Sequence, residues 1–250
     1  MAKFDGMAAV YDASRGGLAR GAYVADELEP LFPTGSSRLL ELGVGTGAVG
    51  LAFAKKGYDV LGVDVSASML STAEPRLPGR VGLADASVLP FPDGAFDAVY
   101  AVWVMYHLAD PQAVMAEAAR VLRPGGRLLA MDRNRVDGGA NVWAELDVEI
   151  GRRLGRNQPA LTSGYEHLGQ IGERQGLRKL GILTLRPWRD PRTLRQAIEN
   201  TRQRVFGWDG TEDEWDRVIE PLLVAWSARP DLDDVIVFEQ GHEVLVLERP

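Results

Sequence analysis

The sequence predicts an α/β fold built on a doubly wound parallel sheet. From residue 38 to residue 132, short apolar segments alternate with segments of helical periodicity, which is typical of parallel strands joined by helices. Phe96–Val104 is apolar almost throughout, as expected for a strand buried on both faces. A glycine-rich turn follows the first of these strands. Together these features favour a nucleotide-binding type of α/β architecture.

The alternation assigns each element in turn. The predicted strands of the first half are 38–42, 58–63, 80–84, 96–104 and 127–132. The predicted helices between them are 48–56, 66–77 and 111–122, with Ser66 and Asp110 as N-caps and Pro111 in the first turn. Arg123–Gly126 predicts a turn.

The second half is predicted to be mainly helical. Its predicted helices are 141–154, 163–176, 190–206 and 211–229. Asp190-Pro191 is interpreted as an N-cap followed by a proline in the first turn, and Thr211 and Glu214 as a capping box. Its predicted strands are 177–186, 235–238 and 243–248.

Composition limits the possible functions. The 250 residues carry a formal net charge of −7 and no cysteine. The acidic balance disfavours nonspecific binding to nucleic acid or to acidic membranes. The absence of cysteine excludes thiolate chemistry and cysteine-ligated zinc. The longest apolar stretch, Ala98–Ala109, is too short to span a bilayer, and no signal peptide is recognisable, so a cytoplasmic protein is expected.

The stretch Arg38–Gly50 predicts a ligand site. Its sequence, RLLELGVGTGAVG, is an apolar strand followed by three closely spaced glycines and a helix. Glycines permit positive φ and let a ligand lie against the backbone. Because Gly45–Gly50 also fits GxGxxG, the turn by itself leaves a dinucleotide-binding dehydrogenase open.

Three carboxylates narrow the choice of ligand. Glu41, Asp64 and Asp85 lie at the ends of the first three predicted strands, whose carboxyl ends share one edge of the sheet. Asp64 is placed to accept hydrogen bonds from a ribose diol, and Asp85 to reach an adenine amino group. Glu41 beside the glycine turn disfavours a pyrophosphate and favours a cationic amino-acid end. The acids therefore predict a ligand with an adenosine end.

Four motifs carry a family resemblance. LLELGVGTG, VLGVDVSASML, ADASVLPFPDGAFDAVYAVWVMYHL and ARVLRPGGRLLAMD, in this order, resemble the class I S-adenosylmethionine-dependent methyltransferases. They are most similar to the small-molecule branch that includes ubiquinone and menaquinone biosynthesis enzymes. The resemblance implies a three-layer, Rossmann-like, mostly parallel seven-stranded sheet with an antiparallel last strand and a helical insertion late in the chain. It also implies one methyltransferase domain over 1–250, with an N-terminal helical cap (1–36), a cofactor-binding core (37–135), a variable substrate or cap region (136–234) and a C-terminal strand (235–250).

The resemblance also implies the cofactor and its binding residues. The cofactor is S-adenosylmethionine, with S-adenosylhomocysteine as product, and no metal is implied. The implied cofactor-binding positions are Tyr11, Arg15, Glu41, Gly43, Gly45, Asp64, Val65, Met69, Asp85, Ala86 and Val102. Tyr11 and Arg15 resemble an N-terminal segment that covers the cofactor.

The reaction implied by the resemblance is methyl transfer to a small-molecule acceptor by in-line displacement. His107, directly after the fourth predicted strand, is the candidate general base for an acceptor that must lose a proton. Nucleic acid is not expected as a partner. Two alternatives remain open: an NAD(P)-dependent oxidoreductase of Rossmann type, and a non-catalytic protein that binds S-adenosylmethionine.

Overall fold

The computed structural model describes residues 11–12, 15–133, 142–155, 164–203 and 211–250. The chain divides into two compact units. Unit 1 combines residues 1–134, 162–186 and 242–250, and unit 2 combines residues 135–161 and 187–241. Among the described residues, no helix is both long enough and apolar enough to cross a membrane.

Unit 1 is built on a seven-stranded sheet. Its strands are β1 (Arg38–Leu42), β2 (Asp59–Asp64), β3 (Val81–Leu83), β4 (Phe96–Val102), β5 (Leu122–Arg133), β6 (Arg178–Thr184) and β9 (His242–Glu248). The order across the sheet is β3-β2-β1-β4-β5-β9-β6. β9 runs antiparallel to both β5 and β6, and the pairs among β1 to β5 are parallel. The predicted mostly parallel seven-stranded sheet with an antiparallel last strand is thus confirmed.

Helices cover both faces of this sheet. They are α1 (Gly17–Leu28), α2 (Ala48–Lys55), α3 (Ala67–Ala73), α4 (Pro111–Val121) and α6 (Gly164–Arg174). One apolar cluster lies on the face that includes Val24, Phe53 and Tyr100, and a second includes Met115, Ile171 and residues of β5. Burial of these apolar side chains from both helical layers is the main source of stability for such a sheet.

The predicted caps are largely confirmed. The Ser66 hydroxyl accepts a hydrogen bond from the Met69 N–H at the start of α3. The Asp110 carboxylate accepts from the N–H groups of Gln112 and Ala113 at the start of α4. A side-chain acceptor at the N-cap satisfies backbone donors that the first helical turn leaves unpaired. Residue 163, at which the helix 163–176 was predicted to start, lies outside the described residues.

Unit 2 contains helices and one small sheet. Its helices are α5 (Val142–Arg153), α7 (Leu194–Arg202), α8 (Glu212–Glu214) and α9 (Glu220–Trp226), with a π-helical turn at Trp215–Ile219. β7 (Trp188–Arg192) and β8 (Ile236–Gln240) form a two-stranded antiparallel sheet. Leu146, Ile198 and Leu223 belong to its apolar core. The capping box at Thr211 and Glu214 is confirmed.

Three predicted elements of the chain are wrong or displaced. Asp190-Pro191 lies in β7 instead of starting a helix, and α7 begins at Leu194 with a capping box from Thr193 and Gln196. Pairing with β8 outweighs the local helix-start signal, and proline is tolerated on an edge strand. The segment predicted as strand 235–238 pairs with β7 in unit 2, not with the main sheet. The turn predicted at 123–126 falls within β5, at an irregularity in its pairing with β4.

Candidate active site

A cavity opens at the carboxyl ends of β1 and β4. β1 lies between β2 and β4, so the order of strands reverses here, and ligands of open α/β sheets bind at such a point. The volume of this cavity is about 460 Å³ when its open mouth is included. Of the predicted cofactor-binding residues, its wall contains Tyr11, Arg15, Glu41, Gly43, Gly45 and Val102.

The glycine turn between β1 and α2 supplies bare backbone to this cavity. Gly43 has φ 68° and Gly45 has φ 53°, in the left-handed region that favours glycine. A Cβ on Gly43 would lie 2.4 Å from Cγ2 of Val104, so this position has no room for a side chain. A Cβ on Gly45 would meet no atom closer than 4.0 Å. Gly43 therefore serves close packing, whereas Gly45 leaves its backbone open to a ligand.

Asp64 joins the end of β2 to the glycine turn. Its Oδ2 accepts a hydrogen bond from the Gly45 N–H at 2.8 Å, and its Oδ1 accepts from the Ser66 N–H at 2.9 Å. An ionised carboxylate has about four acceptor directions, so two remain for a diol. The sequence anticipated the position of this acid but not its bond to the turn, because that bond depends on the register of β2 against β1.

Glu41 is a buried carboxyl group in the cavity wall. It is 3% exposed, and its Oε2 accepts a hydrogen bond from the Tyr100 hydroxyl at 3.1 Å. Burial raises the pKa of Glu41 to about 8, although the bond from Tyr100 favours the ionised form. Glu41 is therefore largely uncharged at neutral pH. The sequence-based argument that it repels a phosphate assumed an ionised group and loses force.

Asp12 fastens the N-terminal residues to the glycine turn. Its Oδ1 accepts from the Thr46 hydroxyl at 2.6 Å, and its Oδ2 accepts from Nη2 of Arg76 at 2.5 Å. Arg76 also donates to the Thr46 carbonyl at 2.9 Å. This three-residue link was not predicted, because its members are far apart in the sequence. It places the chain around Tyr11 at the cavity.

Arg20 and Trp103 form a stacked pair in the cavity wall, and neither was predicted. The Arg20 guanidinium is 3.8 Å from the centre of the Trp103 ring, and Arg20 is 6% exposed. Trp103 has φ 57°, the only positive φ of a non-glycine residue in the described part of the chain. Such a backbone conformation costs about 1–3 kcal/mol and occurs preferentially at functional sites. The sequence contained one indication that Trp103 lies at the site, namely its position directly after β4.

The remaining predicted binding residues lie at the ends of β2 and β3. Asp85 is exposed, and its Oδ1 accepts from the N–H and the hydroxyl of Ser87, both at 2.8 Å. These hydrogen bonds lower the pKa of Asp85, so this acid stays ionised at neutral pH. Val65 is 58% exposed, whereas Met69 and Ala86 are buried.

His107 lies in a single 3₁₀ turn, Met105–His107, after β4. Its side chain is exposed and is not part of the cavity wall. The cavity therefore does not by itself assign a role to His107.

Comparison with known proteins identifies the domain. Residues 40–130, from β1 to β5, match the family model of a methyltransferase domain. An uncharacterized methyltransferase of Mycobacterium tuberculosis is 36% identical over 154 residues, which cover 60% of this chain and 58% of that protein. The demethylmenaquinone methyltransferase of Clavibacter sepedonicus is 35% identical over 135 residues, 51% of this chain and 55% of that protein. Residues 40–130 of the chain are a methyltransferase domain.

A solved structure has a similar fold. A proposed methyltransferase of Bacillus halodurans has a TM-score of 0.56 at 20% identity, covering 94% of this chain and 99% of that one. The chain spans between half and two thirds of the length of the two curated relatives above, at 58% and 55%. The likeness to those relatives therefore concerns the methyltransferase domain and does not identify an acceptor.

The side chains around the cavity fit S-adenosylmethionine, the cofactor of this family. The methionine end of that molecule carries a carboxylate and an ammonium group. Arg15 and Arg20 line the same cavity, and their guanidinium groups are complementary to that carboxylate, while the carboxyl group of Glu41 can form hydrogen bonds with the ammonium group. Within the described part of the chain, no cluster of three or more acidic or histidine side chains could hold a metal ion.

Glu41 makes the stability of unit 1 depend on pH. Its pKa of about 8 in the folded protein lies above the value of 4.5 for an exposed glutamate. Its contribution to stability is therefore complete below pH 4.5 and is lost as pH rises to about 8. Glu41→Gln should remove this loss. Measured by chemical unfolding from pH 4.5 to pH 9, the variant should gain stability relative to the parent protein as pH rises. Glu173→Gln, at an exposed position of α6, is the control and should follow the parent. Parallel curves for Glu41→Gln and the parent would contradict the raised pKa.

Proposed function

We propose that this protein transfers the methyl group of S-adenosylmethionine to a small-molecule acceptor by in-line displacement. The observation that supports the proposal most strongly is the cavity at the β1–β4 reversal, in which bare glycine backbone, a carboxyl group and two guanidinium groups converge within a methyltransferase domain. When bound, the cofactor supplies an activated methyl group on a sulfonium. The protein then has to bind the cofactor and the acceptor, align the acceptor with the methyl group, and exclude water. Alignment of this kind lowers the barrier by on the order of several kcal/mol.

We assign the polar binding roles as follows. Asp64 accepts hydrogen bonds from the ribose hydroxyls through the acceptor directions that Gly45 and Ser66 leave unused. Asp85, held ionised by Ser87, accepts from the adenine amino group, and the backbone of Ala86 contacts the same base. Glu41 contacts the cationic part of the methionine end. A bound cation would stabilise the ionised form of this buried carboxyl group, so Glu41 would lose its proton when the cofactor binds.

The apolar and covering roles follow from burial and position. Val65, at the end of β2, offers an exposed apolar surface to the base, and buried Met69 supports it from α3. Gly43, Gly45 and the backbone of Val102 bound the methionine end. Tyr11 and Arg15 cover the cavity, where the bonds of Asp12 to Thr46 and Arg76 hold this segment.

Unit 2 is our candidate for acceptor recognition. Its two segments, 135–161 and 187–241, interrupt the chain between elements of unit 1. They lie mostly within the predicted variable region, 136–234, of which residues 162–186 belong to unit 1. The relative from Clavibacter sepedonicus is named for a demethylmenaquinone substrate, which supports an aromatic or quinone-like acceptor among the candidates for this protein.

A product assay tests the proposal directly. The protein is incubated with radiolabelled S-adenosylmethionine and metabolite extract, and binding of S-adenosylhomocysteine, NAD and NADP is measured by calorimetry. Methyl transfer is supported by a labelled product and by binding of S-adenosylhomocysteine alone. Binding of NAD or NADP would instead favour a Rossmann-type oxidoreductase. Tight cofactor binding without any labelled product would favour a non-catalytic binding protein.

Asp64→Asn tests the ribose assignment. Loss of a charge-assisted acceptor should weaken S-adenosylhomocysteine binding by about tenfold or more, since such hydrogen bonds contribute about 1.5–3 kcal/mol. Asp59→Asn is the matched control at the opposite end of β2, where Asp59 pairs with Arg80, and its affinity should equal that of the parent. An unchanged calorimetric affinity in Asp64→Asn would show that the ribose binds elsewhere.

His107→Gln tests the general base. If His107 removes a proton from the acceptor, methyl transfer should slow by about 10²-fold or more while cofactor affinity stays unchanged. His167→Gln, at an exposed position of α6, is the control for loss of an imidazole. Turnover equal to that of the parent would leave His107 without a catalytic role.

A further inference from the structure

A buried histidine connects the C-terminal strand to the cavity wall. His242 is the first residue of β9 and has no exposed surface. Its Nε2 lies 3.2 Å from Nη2 of Arg20, and its Nδ1 lies 3.2 Å from the Tyr23 hydroxyl. The Tyr23 hydroxyl in turn donates to the carbonyl of Arg186 at 2.5 Å. All four residues belong to unit 1.

The two neighbours of the imidazole determine where its proton lies. A guanidinium donates only, so Nε2 of His242 must accept from Arg20 and carry no proton. The single Tyr23 proton points to the Arg186 carbonyl, which can only accept. The Tyr23 oxygen must therefore accept from an N–H at Nδ1 of His242. Burial, together with Glu27, raises the pKa of Tyr23 to about 12, so the phenol keeps its proton at neutral pH.

We propose that His242 is held as the neutral Nδ1–H tautomer and positions Arg20 against Trp103 in the wall of the cofactor cavity. This assignment goes beyond the roles above, which give His242 no part in binding the cofactor or in removing a proton. The tautomer follows from the contacts in unit 1, and only its effect on affinity rests on the proposed function.

The position of Trp103 explains why such a support is required. Its backbone N–H donates to the Met131 carbonyl at 2.9 Å, while its φ of 57° turns the ring out of the strand path. The Arg20 guanidinium lies over one face of the ring, and the centre of the ring is 5.7 Å from that of His242. A guanidinium on an aromatic face is attractive and, when desolvated, strongly so.

Arg20 also contacts Arg15, which is part of the segment proposed to cover the cavity. Its Nη1 donates to the Arg15 carbonyl at 3.3 Å, so one guanidinium contacts His242, the Trp103 ring and the backbone of a cavity residue. A neutral imidazole that accepts at Nε2 does not neutralise the positive charge of Arg20, as a carboxylate partner would. His242 acts on a ligand only through Arg20 and Trp103 and is a positioning residue.

The tautomer is tested first, in the protein without ligand. With ¹⁵N-labelled histidine, long-range ¹H–¹⁵N spectra at pH 7.5 distinguish the two neutral tautomers and the imidazolium. The chain has three histidines, so His107→Gln and His167→Gln complete the assignment. The expected result is an Nδ1–H signal for His242. An Nε2–H or imidazolium signal at this position would overturn the proposal, whatever the outcome for methyl transfer.

The positioning role is tested by variants of His242. His242→Leu should weaken calorimetric binding of S-adenosylhomocysteine by about tenfold, because Arg20 loses its acceptor. His242→Gln keeps an acceptor for Arg20 and a donor for Tyr23 and should restore affinity to within about threefold. His167→Leu is the matched control and should bind like the parent. Equal affinity of His242→Leu and the parent would overturn the positioning role.

Coupling through Trp103 is tested by a double-mutant cycle. If His242 acts through the ring, His242→Leu should change affinity and near-ultraviolet circular dichroism much less in a Trp103→Phe background than in the parent. Additive effects would overturn this route. If His242→Leu does not fold, His242→Gln and the tautomer of the parent still decide the proposal. A parent protein that binds no S-adenosylhomocysteine would refute the proposed function while leaving the tautomer result valid.

Discussion

The site depends on β1 lying between β2 and β4. This order sends the chain from β1 and from β4 to opposite sides of the sheet, so that a space opens between Gly43 and Trp103. Both neighbours of β1 pair with it in parallel register, and burial on both faces leaves the sheet little freedom to slip. The bond from the Gly45 N–H to Asp64 then holds the turn against the end of β2.

Three acids of similar appearance have different electrostatic states. Burial of Glu41 beside Tyr100 raises its pKa to about 8, whereas hydrogen bonds from Ser87 lower the pKa of exposed Asp85. Asp64 is half-buried and receives two backbone N–H groups. Glu41 in the cavity wall is therefore largely uncharged at neutral pH, whereas Asp85, just beyond the end of β3, is ionised.

Strain at Trp103 is balanced by contacts from distant parts of the chain. A left-handed conformation at a bulky residue costs about 1–3 kcal/mol. Stacking of a desolvated guanidinium contributes about 2 kcal/mol, and hydrogen bonds to charged groups contribute about 1.5–3 kcal/mol. The contacts of Arg20 with Trp103 and His242 are thus of the size needed to hold the ring in the cavity wall.

The sequence alone determined the sheet, the glycine turn and the acids at the strand ends, because these depend on local periodicity and on the rule that parallel strands end at one edge. It also indicated the methyltransferase domain, since the order and spacing of four motifs are local properties. Tertiary structure decided the uncharged state of Glu41, the start of α7 after Pro191, and the association of Arg20, Trp103 and His242. Burial and long-range pairing set these features, and residues separated by 222 positions, such as Arg20 and His242, leave no joint pattern in the sequence.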